Sequence, residues 1–547
     1  QLAVIGRQFP LSLIRQVIAQ PEAELYRLLA SLQHKEFLYE QPALPEVEYI
    51  FKHALTQDVA YGTVLQEQKK LLHEQTARAI EGLYRTSTDE RYGELAHHFS
   101  RSGNTEKAVT YLGLAGQQAV QRSAHTEAIS QLTAALDLLL TRPETPERVA
   151  QELTLRLALG TPLIAIQGWA APALEPHYTR ARALCDRLGD TPQRFPVLWG
   201  LWAFLRDRGE IRMAQTLAEE CLQLAEQAHE AGMLCEAHYA VGSTFLLRGE
   251  LVRARAVLEQ SMALYQPQHH ALTPLYAGLN PKVLSLDYTA LTLWVLGYPE
   301  QALTRVYEAL HLAQELSHPY SLACALTWTA VLHSERGDGH LIEEHADALV
   351  ALSSEHGFPS FLRVGTAFRG VALLSAQEQW AEGIAQIQQG LEAWEGKTWM
   401  TLYLAWLARG YGGAGQIDEG LATITEALRL VEKTDERFYE VEVWRVKGEL
   451  LLVQEGLRPQ AEGLREKTEE AEKCFQKAIE VAQQQQAKSL ELRAVMSLAR
   501  LWQQQGKTAE ARQMLAEVYN WFTEGFDTKD LQEAKALLEE LSVDERQ

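Results

Sequence analysis

The stretch "VGSTFLLRGELVRARAVLEQS", residues 241–261, joins two helical patterns across a turn. Arg248-Gly249 breaks the first pattern. The second opens at Glu250-Leu251 and places Ala254, Leu258 and Ser261 at steps of four and three, one face of a helix. The same design recurs in "LAHHFSRSGNTEKAVTYLGLA" (95–115), "LARGYGGAGQIDEGLATITEA" (407–427) and "LARLWQQQGKTAEARQMLAEV" (498–518). Turn residues of the Gly, Asp and Asn type end one helix and cap the next.

Working outward, the small residue near the start of each second helix serves as a ruler. It falls at Ala214, Ala254, Ala302, Gly383, Gly420, Ala471 and Ala511, with Ile342 filling the slot between Ala302 and Gly383. The steps between these positions are 40, 48, 40, 41, 37, 51 and 40. A period near 40 predicts an array of supersecondary units. Small side chains are needed where neighbouring helices cross closely. The two long steps mark insertions at 266–285 and 455–468, and a third break, "TPLIAIQGWAAPALEP", covers 161–176. Between 143 and 190 the repeat is hard to phase. The expected fold is all-α, a right-handed superhelical array of antiparallel helix pairs with a small N-terminal domain. The expected boundaries are 1–92 for that domain, 93–190 for the first repeats and a connector, 191–526 for the superhelix, and 527–547 for a capping helix. The segment "DTKDLQEAKALLEEL" has the charged outer face that an array end needs.

Residues 1–92 break the rhythm. "SLIRQVIA" and "AELYRLLASLQHK" read as helices, and "EFLYE" and "EVEYIF" alternate as strands, with Pro42 and Pro45 at a hairpin tip. "KHALTQDVAYGTVL" reads as amphipathic, with Phe51, Leu55 and Val59 on one face. Helices followed by a β-wing is a winged-helix order.

Composition narrows the function. The 547 residues carry 51 Lys/Arg and 72 Asp/Glu, a net charge of −21. Such a surface disfavours nucleic acid and anionic membranes. A DNA-reading role for the head would need a basic recognition helix, yet Glu22 and Glu24 sit beside its Lys and Arg. The five cysteines lack a C-x-x-C pair, which fits a reducing cytoplasm. Neither an uninterrupted apolar run of about 18 residues nor a signal-peptide pattern is present. The chain opens on Gln1-Leu2-Ala3-Val4-Ile5 without Met, and reads as a piece of something longer.

The repeat resembles the tetratricopeptide repeat, at a longer period that is more similar to the superhelical sensor of MalT-type regulators. "VIGRQF", "EYIFKHALTQDVAY" and "LLHEQTARAIE" resemble the segment that follows the nucleotide-binding domain in bacterial signalling ATPases with tetratricopeptide arms. "GELLL", "QQQQAKSLELRAVMSLARLWQQQGKTAEA" and "WFTEGFDTKDLQEAKALLEEL" resemble the arms of the same family. Many of its members carry a class III nucleotide cyclase or a protein kinase domain upstream. The resemblance implies a non-catalytic regulatory arm, with ATP or ADP held by an upstream nucleotide-binding domain and no cofactor in this chain. It further implies a protein or small-molecule ligand on the superhelix. In the wider group of signal-transducing ATPases a winged-helix histidine at a helix start contacts the nucleotide phosphate. By position His53 resembles it, and a helix N-terminus favours an anion. The other reading of His53 is a histidine packed at a strand-to-helix joint. "QEQKKLLH" (66–73) departs from the family, which more often has arginines there. A passive protein-interaction scaffold is the alternative function.

Several motifs imitate chemistry. "GYGGAG" (410–415) satisfies G-x-G-x-x-G, but a dinucleotide site needs a preceding strand and "TLYLAWLAR" is helical. "GKT" occurs at 396–398 and 506–508, with Leu391 and Leu501 where a P-loop needs its first glycine. The pairs His97-His98 and His269-His270 lack metal-site spacing, and Glu343-Glu344-His345 reads as a solvated face. No catalytic or metal residue is expected. Twelve tryptophans, among them Trp199, Trp202, Trp394 and Trp399, read as core positions or as lining of a concave site. The 161–176 and 266–285 breaks are candidates for its rim. Glu236, Tyr239 and Ser243 do not make a carboxylate clamp.

Overall fold

The computed structural model describes residues 1–42, 46–189, 191–276, 278–375, 379–392, 396–457 and 464–544. The chain divides into two compact units, Gln1–Pro162 and Leu163–Gln547.

The first unit begins with a short helix, Leu2–Ile5, then strand β1 (Gln8–Pro10), helices Leu11–Val17 and Glu22–His34, and strands β2 (Leu38–Gln41) and β3 (Glu48–Phe51). The strands form an antiparallel sheet in the order β1-β3-β2. Phe9 lies opposite Tyr49, and Leu38 opposite Phe51. All four are buried. Both expected helices and both expected strands are present, but β1 was not expected from sequence. It is three residues long and ends on Pro10, too short to show alternation, and proline is tolerated there because β1 is an edge strand. Pro45 of the expected hairpin tip lies outside the described residues.

Helix Ala54–Gly62 follows β3 directly. Leu55 and Val59 do share a face, yet that face is exposed, at 71% and 61%. Phe51 belongs to β3 and packs edge-on against Phe9 at 5.9 Å. Helices Gln66–Leu83, Tyr92–Ser102, Thr105–Gln121 and His125–Leu140 then stack as antiparallel neighbours.

The second unit is a tetratricopeptide-like array of helix pairs: Arg194–Asp207 with Ile211–Ala228, Ala231–Leu247 with Leu251–Leu264, Pro281–Leu296 with Pro299–Glu315, and so on to Lys488–Gln504 with Thr508–Tyr519. The ruler holds. Ala214, Ala254, Ala302, Ile342, Gly383, Gly420 and Ala511 each stand fourth in their helix, and all are buried. Ala471 is equally buried but lies further along its helix, which begins at Leu464. The 161–176 break is shorter than expected, because helix Pro146–Gln167 carries Pro162 within it and continues to Gln167. This helix is long and apolar enough to cross a membrane by length and composition, but 67% of its apolar window is buried in the protein. Within it, buried Glu152 pairs with Arg156 at 3.0 Å. The 266–285 insertion forms a 3-10 helix, Pro267–Leu275, and the start of helix Pro281–Leu296. Part of the 455–468 insertion lies outside the described residues.

First and second helices differ in burial. Ile211–Ala228 buries one stripe, Ile211, Ala214, Leu217, Ala218, Cys221 and Ala225. Pro281–Leu296 buries every residue but Lys282. A helix apolar on all sides belongs in an interior. What covers it comes from far along the chain. Thr398 Oγ1 donates to the Arg206 carbonyl, 192 positions away. Arg437 and Phe438 N–H donate to the Leu247 carbonyl at 2.7 and 3.1 Å. Ser489 Oγ donates to the Trp294 carbonyl at 2.6 Å, across 195 positions. Arg336 reaches Asp527, 191 positions on. With a repeat near 40, this spacing means that about five helix pairs complete a superhelical turn, and successive turns pack on each other.

Turn glycines mark the seam. Gly249 and Gly297 have φ of 73° and 97°, and a Cβ there would meet Gln485 at 2.6 Å or Trp521 at 2.6 Å. Gly506, at the equivalent turn later in the array, has nothing within 4 Å. The early glycines are therefore required twice, for left-handed backbone and for close approach. The array ends on helix Lys529–Asp544, whose Leu531, Ala534, Leu537 and Leu541 close a core with Leu492, Val495 and Leu515.

Candidate functional site

Inter-turn packing leaves a cavity of about 150 Å³ in the second unit. Its wall comes from both breaks foreseen as a rim: Gln167 to Ala171 from one, Leu279 and Leu284 from the other. Successive turns supply the rest. Tyr239, Tyr288 and Trp328 come from first helices early in the array, and Trp399 and Tyr403 from the loop and helix that follow. Trp169, Trp328, Phe361 and Trp399 are half-buried, whereas Tyr239 and Tyr288 form a buried floor. Trp328 and Trp399 meet edge-on at 4.7 Å, and Tyr288 lies 4.9 Å from Trp328. The tryptophans thus divide. Trp199, Trp202 and Trp294 are core, while Trp169, Trp328 and Trp399 face the cavity. Trp394 lies outside the described residues.

Charge enters at two points. Arg206 is buried at the end of an otherwise apolar helix, bonded to Asp207 at 2.9 Å and donating to Tyr239 Oη at 3.2 Å. Its guanidinium lies 4.7 Å from the Trp202 ring centre. Burial pushes the Asp207 carboxyl up, and Arg206 opposes the rise. Burial likewise raises the Tyr239 hydroxyl, to about 12. Arg363, at the start of the second turn of helix Pro359–Ser375, also lines the cavity; its Nε is buried without a hydrogen-bond partner. Ser360 Oγ, one turn earlier on the same face, is buried and unpartnered too.

Trp399 is held in a left-handed conformation, φ 68°, uncommon for a bulky residue. Buried Glu436 fixes it, accepting from Trp399 N–H at 3.0 Å and Thr401 Oγ1 at 2.7 Å. Burial lifts the Glu436 carboxyl to about 7, against those two donors. Backbone strain held in place this way clusters at ligand sites. On the next layer out, Asp287 is 1% exposed and neither carboxylate oxygen has a partner, so burial drives its pKa well above the usual range.

His53 precedes helix Ala54–Gly62 as its N-cap residue. Its side chain is exposed and makes no capping bond, so it is not packed at the joint. The motif imitations are absorbed by structure. Gly410 to Gly413 end helix Met400–Gly413, with no strand before them. The first "GKT" is part of the inter-turn seam, with Lys397 N–H donating to the Asp207 carbonyl at 2.8 Å. Gly506 of the second is a left-handed turn residue. His97 lies beside His98, but the bond His98 makes is to His73, Nδ1 to Nδ1 at 2.9 Å. His345 corrects an expectation: Glu343 and Glu344 are exposed, but His345 is buried and stacks on His333 at 5.5 Å. It sits three residues after buried Ile342, on the inward stripe. Among the described residues no group of three or more His, Cys, Asp or Glu side chains is placed to hold a metal ion. All five cysteines are free and buried.

Sequence reasoning missed Arg206, Asp207, Arg363 and Trp169. For Arg206 and Asp207 the available signal was a pair of ionisable residues closing an apolar run, in "RFPVLWGLWAFLRD"; Asp287 in "PKVLSLDYTALTLWVL" carries the same signal.

Residues 275–336, 464–493 and 492–545 match the family model described as anaphase-promoting complex subunit 5. An uncharacterised protein of Rhizobium meliloti strain 1021 is 25% identical over 506 residues, 91% of this chain; the chain spans 48% of that relative. Among solved structures, a signal transduction ATPase with numerous domains and a tetratricopeptide repeat sensor, from Pyrococcus horikoshii, is similar at 11% identity and TM-score 0.40, covering 89% of this chain and 64% of its own. A Rap protein complexed with competence and sporulation factor is similar at 14% identity and TM-score 0.37, with 74% and 99% covered.

Proposed function

We propose that this chain is the non-catalytic sensor arm of a multidomain signalling ATPase. In this reading the first 92 residues are a winged helix that docks on an upstream nucleotide-binding domain holding ATP or ADP. The second unit binds a protein or small-molecule ligand and passes the event to that domain. The observation that carries the reading is the aromatic cavity, because its wall is drawn from successive superhelical turns. A ligand filling it changes how the turns pack, and so gives binding a mechanical consequence. Full switching, from 1:99 to 99:1, needs a ligand preference of about 10⁴-fold, or roughly 5.5 kcal/mol. Ten aromatic or charged side chains around one cavity supply part of it.

His53 supports the other end of the relay. An exposed histidine at the start of a nine-residue helix is placed to meet an anion from outside the chain. A relative about twice as long leaves room for the domain that would present it. The passive scaffold reading draws on the match to a subunit of a large assembly. Release of labelled ADP from the full-length protein separates the two. His53→Ala speeds release roughly tenfold if the histidine holds nucleotide, since one charge-assisted bond is lost. An unchanged rate leaves the scaffold.

A further inference from the structure

The cavity is polarised, and the polarity identifies a ligand class. One side is aromatic: Trp169, Trp328 and Trp399 leave part of their surface uncovered within the protein. The wall also carries Ser360 and Arg363, three residues apart near the start of helix Pro359–Ser375 and therefore on one face. Both bring a buried polar atom without a partner to the wall. Such atoms cost free energy unless something accepts from them. Among the described residues nothing accepts from either atom, and Asp207, the acid of the lining, is bonded to Arg206. The helix terminus adds its own preference for negative charge.

Alternatives are weaker. An aromatic cage also suits an alkylammonium ion. Here, however, a guanidinium already lies by the rings, with Arg206 4.7 Å from Trp202 and 5.9 Å from Trp169. Among the described lining residues two guanidinium groups stand against one carboxyl, which repels a further cation. Size limits the apolar part, because a cavity of about 150 Å³ takes a benzene-sized ring. Gly168, with φ 94°, lets the loop approach Ser360; a Cβ there would sit 3.3 Å from Ser360 Oγ.

We infer that the cavity binds a small aromatic monocarboxylate, its ring among Trp169, Trp328 and Trp399 and its carboxylate on Arg363 and Ser360. The inference rests on the reading of the second unit as a ligand-binding arm, and names the ligand chemistry. It is tested by calorimetric titration of the 547-residue chain with three probes sharing one skeleton: 3-phenylpropionate, 3-phenylpropan-1-ol and 3-phenylpropylammonium. The carboxylate binds roughly ten- to a hundredfold more tightly than the alcohol, the worth of charge-assisted hydrogen bonds, and the ammonium binds least. Arg363→Gln, checked for an unchanged melting temperature, removes the advantage of the carboxylate over the alcohol. Ser360→Ala, a smaller change, reduces it. Equal binding of alcohol and carboxylate, tightest binding of the ammonium, or no binding of any probe overturns the inference. If no probe binds while His53→Ala still speeds ADP release, the ligand class falls and the sensor reading stands. If the carboxylate binds and His53→Ala leaves ADP release unchanged, the ligand class stands and the coupling falls.

Discussion

The two units differ in the ionisable groups they keep dry. In the first, His73 and His98 are buried and bonded to each other at 2.9 Å, with Tyr61 Oη 3.0 Å from His73 Nε2. The groups facing them are His97, Arg101 and Lys69, all basic. Burial, with those neighbours, lowers His73 to about 4 and His98 to about 3. In the second, the dry groups include acids: Asp287, Glu236 and Glu436, all pushed upward by burial. The first unit therefore excludes protons that its unfolded chain would take. The second does the same at His238, His333 and His345, and in addition retains protons on acids that its unfolded chain would release. A neutral histidine pair suits a small head with helices buried on one face. Protonated acids suit an interior formed by turn on turn, where no side of a helix reaches water.

The strongest way to break this contrast is to remove the charge that the second unit does keep ionised. Arg493 bonds Glu335 at 2.7 Å and Asp530 at 2.7 Å, and lies 3.9 Å from Glu442. Despite burial, Arg445 and Arg493 hold Glu442 down at about 2. Arg493→Met leaves Glu335 and Glu442 buried with a charge missing, a loss of about 3–5 kcal/mol. All twelve tryptophans fall after residue 163, so tryptophan fluorescence reads the second unit alone. Its denaturation midpoint should drop, while hydrogen exchange in helix Gln66–Leu83 stays as in the parent chain. Loss of protection in that helix would mean that the units unfold as one.

Next in size is pH. His73 and His98 have folded pKa values below the ordinary 6.5, so their contribution is present above pH 6.5 and fades as pH falls toward 4 and then 3. Glu436 runs the other way, with a folded value of about 7 against an ordinary 4.5. Its contribution is present below pH 4.5 and fades as pH rises through 7. Each group changes stability by at most about 1.4 kcal/mol per pH unit within its window. Between pH 4.5 and 6.5, hydrogen exchange in the first unit should slow with rising pH beyond its chemical dependence. Over the same range the raised acids pull the fluorescence-detected stability of the second down against its buried histidines, so its slope should be the less positive of the two. A steeper rise in the second unit than in the first would refute the contrast.

Asp287→Asn sharpens the test within one unit. The amide cannot ionise, so the share of the downward slope that belongs to Asp287 disappears, about 1.4 kcal/mol per pH unit where that carboxyl holds its proton. The variant should gain stability relative to the parent at pH 7, and gain less at pH 5. A pH-independent difference would assign Asp287 a packing role only.

Much of this was legible in the sequence, and the rest was not for identifiable reasons. The ruler from Ala214 to Ala511 worked because close helix crossing favours small side chains at that point, a local requirement written in every repeat but the one that carries Ile342. The breaks at 161–176 and 266–285 do supply wall residues of the cavity, because a cavity wall interrupts regular stacking. The seam was illegible, since its partners lie 190 to 225 positions apart and each is an ordinary backbone bond or ion pair. Arg206 passed unnoticed because an arginine near a helix C-terminus is common on the surface, and only the seam turns that helix end inward. His345 was read as solvated from its acidic neighbours, although the three-residue step from Ile342 placed it inside.

The smallest expected effect concerns the face of helix Ala54–Gly62. Leu55 and Val59 are exposed at 71% and 61%, as is Leu65 just beyond the helix at 74%. Nothing is lost from a core when such a side chain changes, and exposed substitutions usually stay within about 0.5 kcal/mol. Leu55→Ser should therefore leave exchange in helix Gln66–Leu83 and the fluorescence midpoint where they were. The equivalent change one helix later differs sharply. Ile80 is 1% exposed in the first unit's core, and Ile80→Ala should cost about 2–5 kcal/mol. Comparing the two by exchange shows whether this helix is maintained by its neighbours or by its own backbone. A loss for Leu55→Ser approaching that for Ile80→Ala would mean that the apolar face is covered in the isolated chain, contrary to its exposure here.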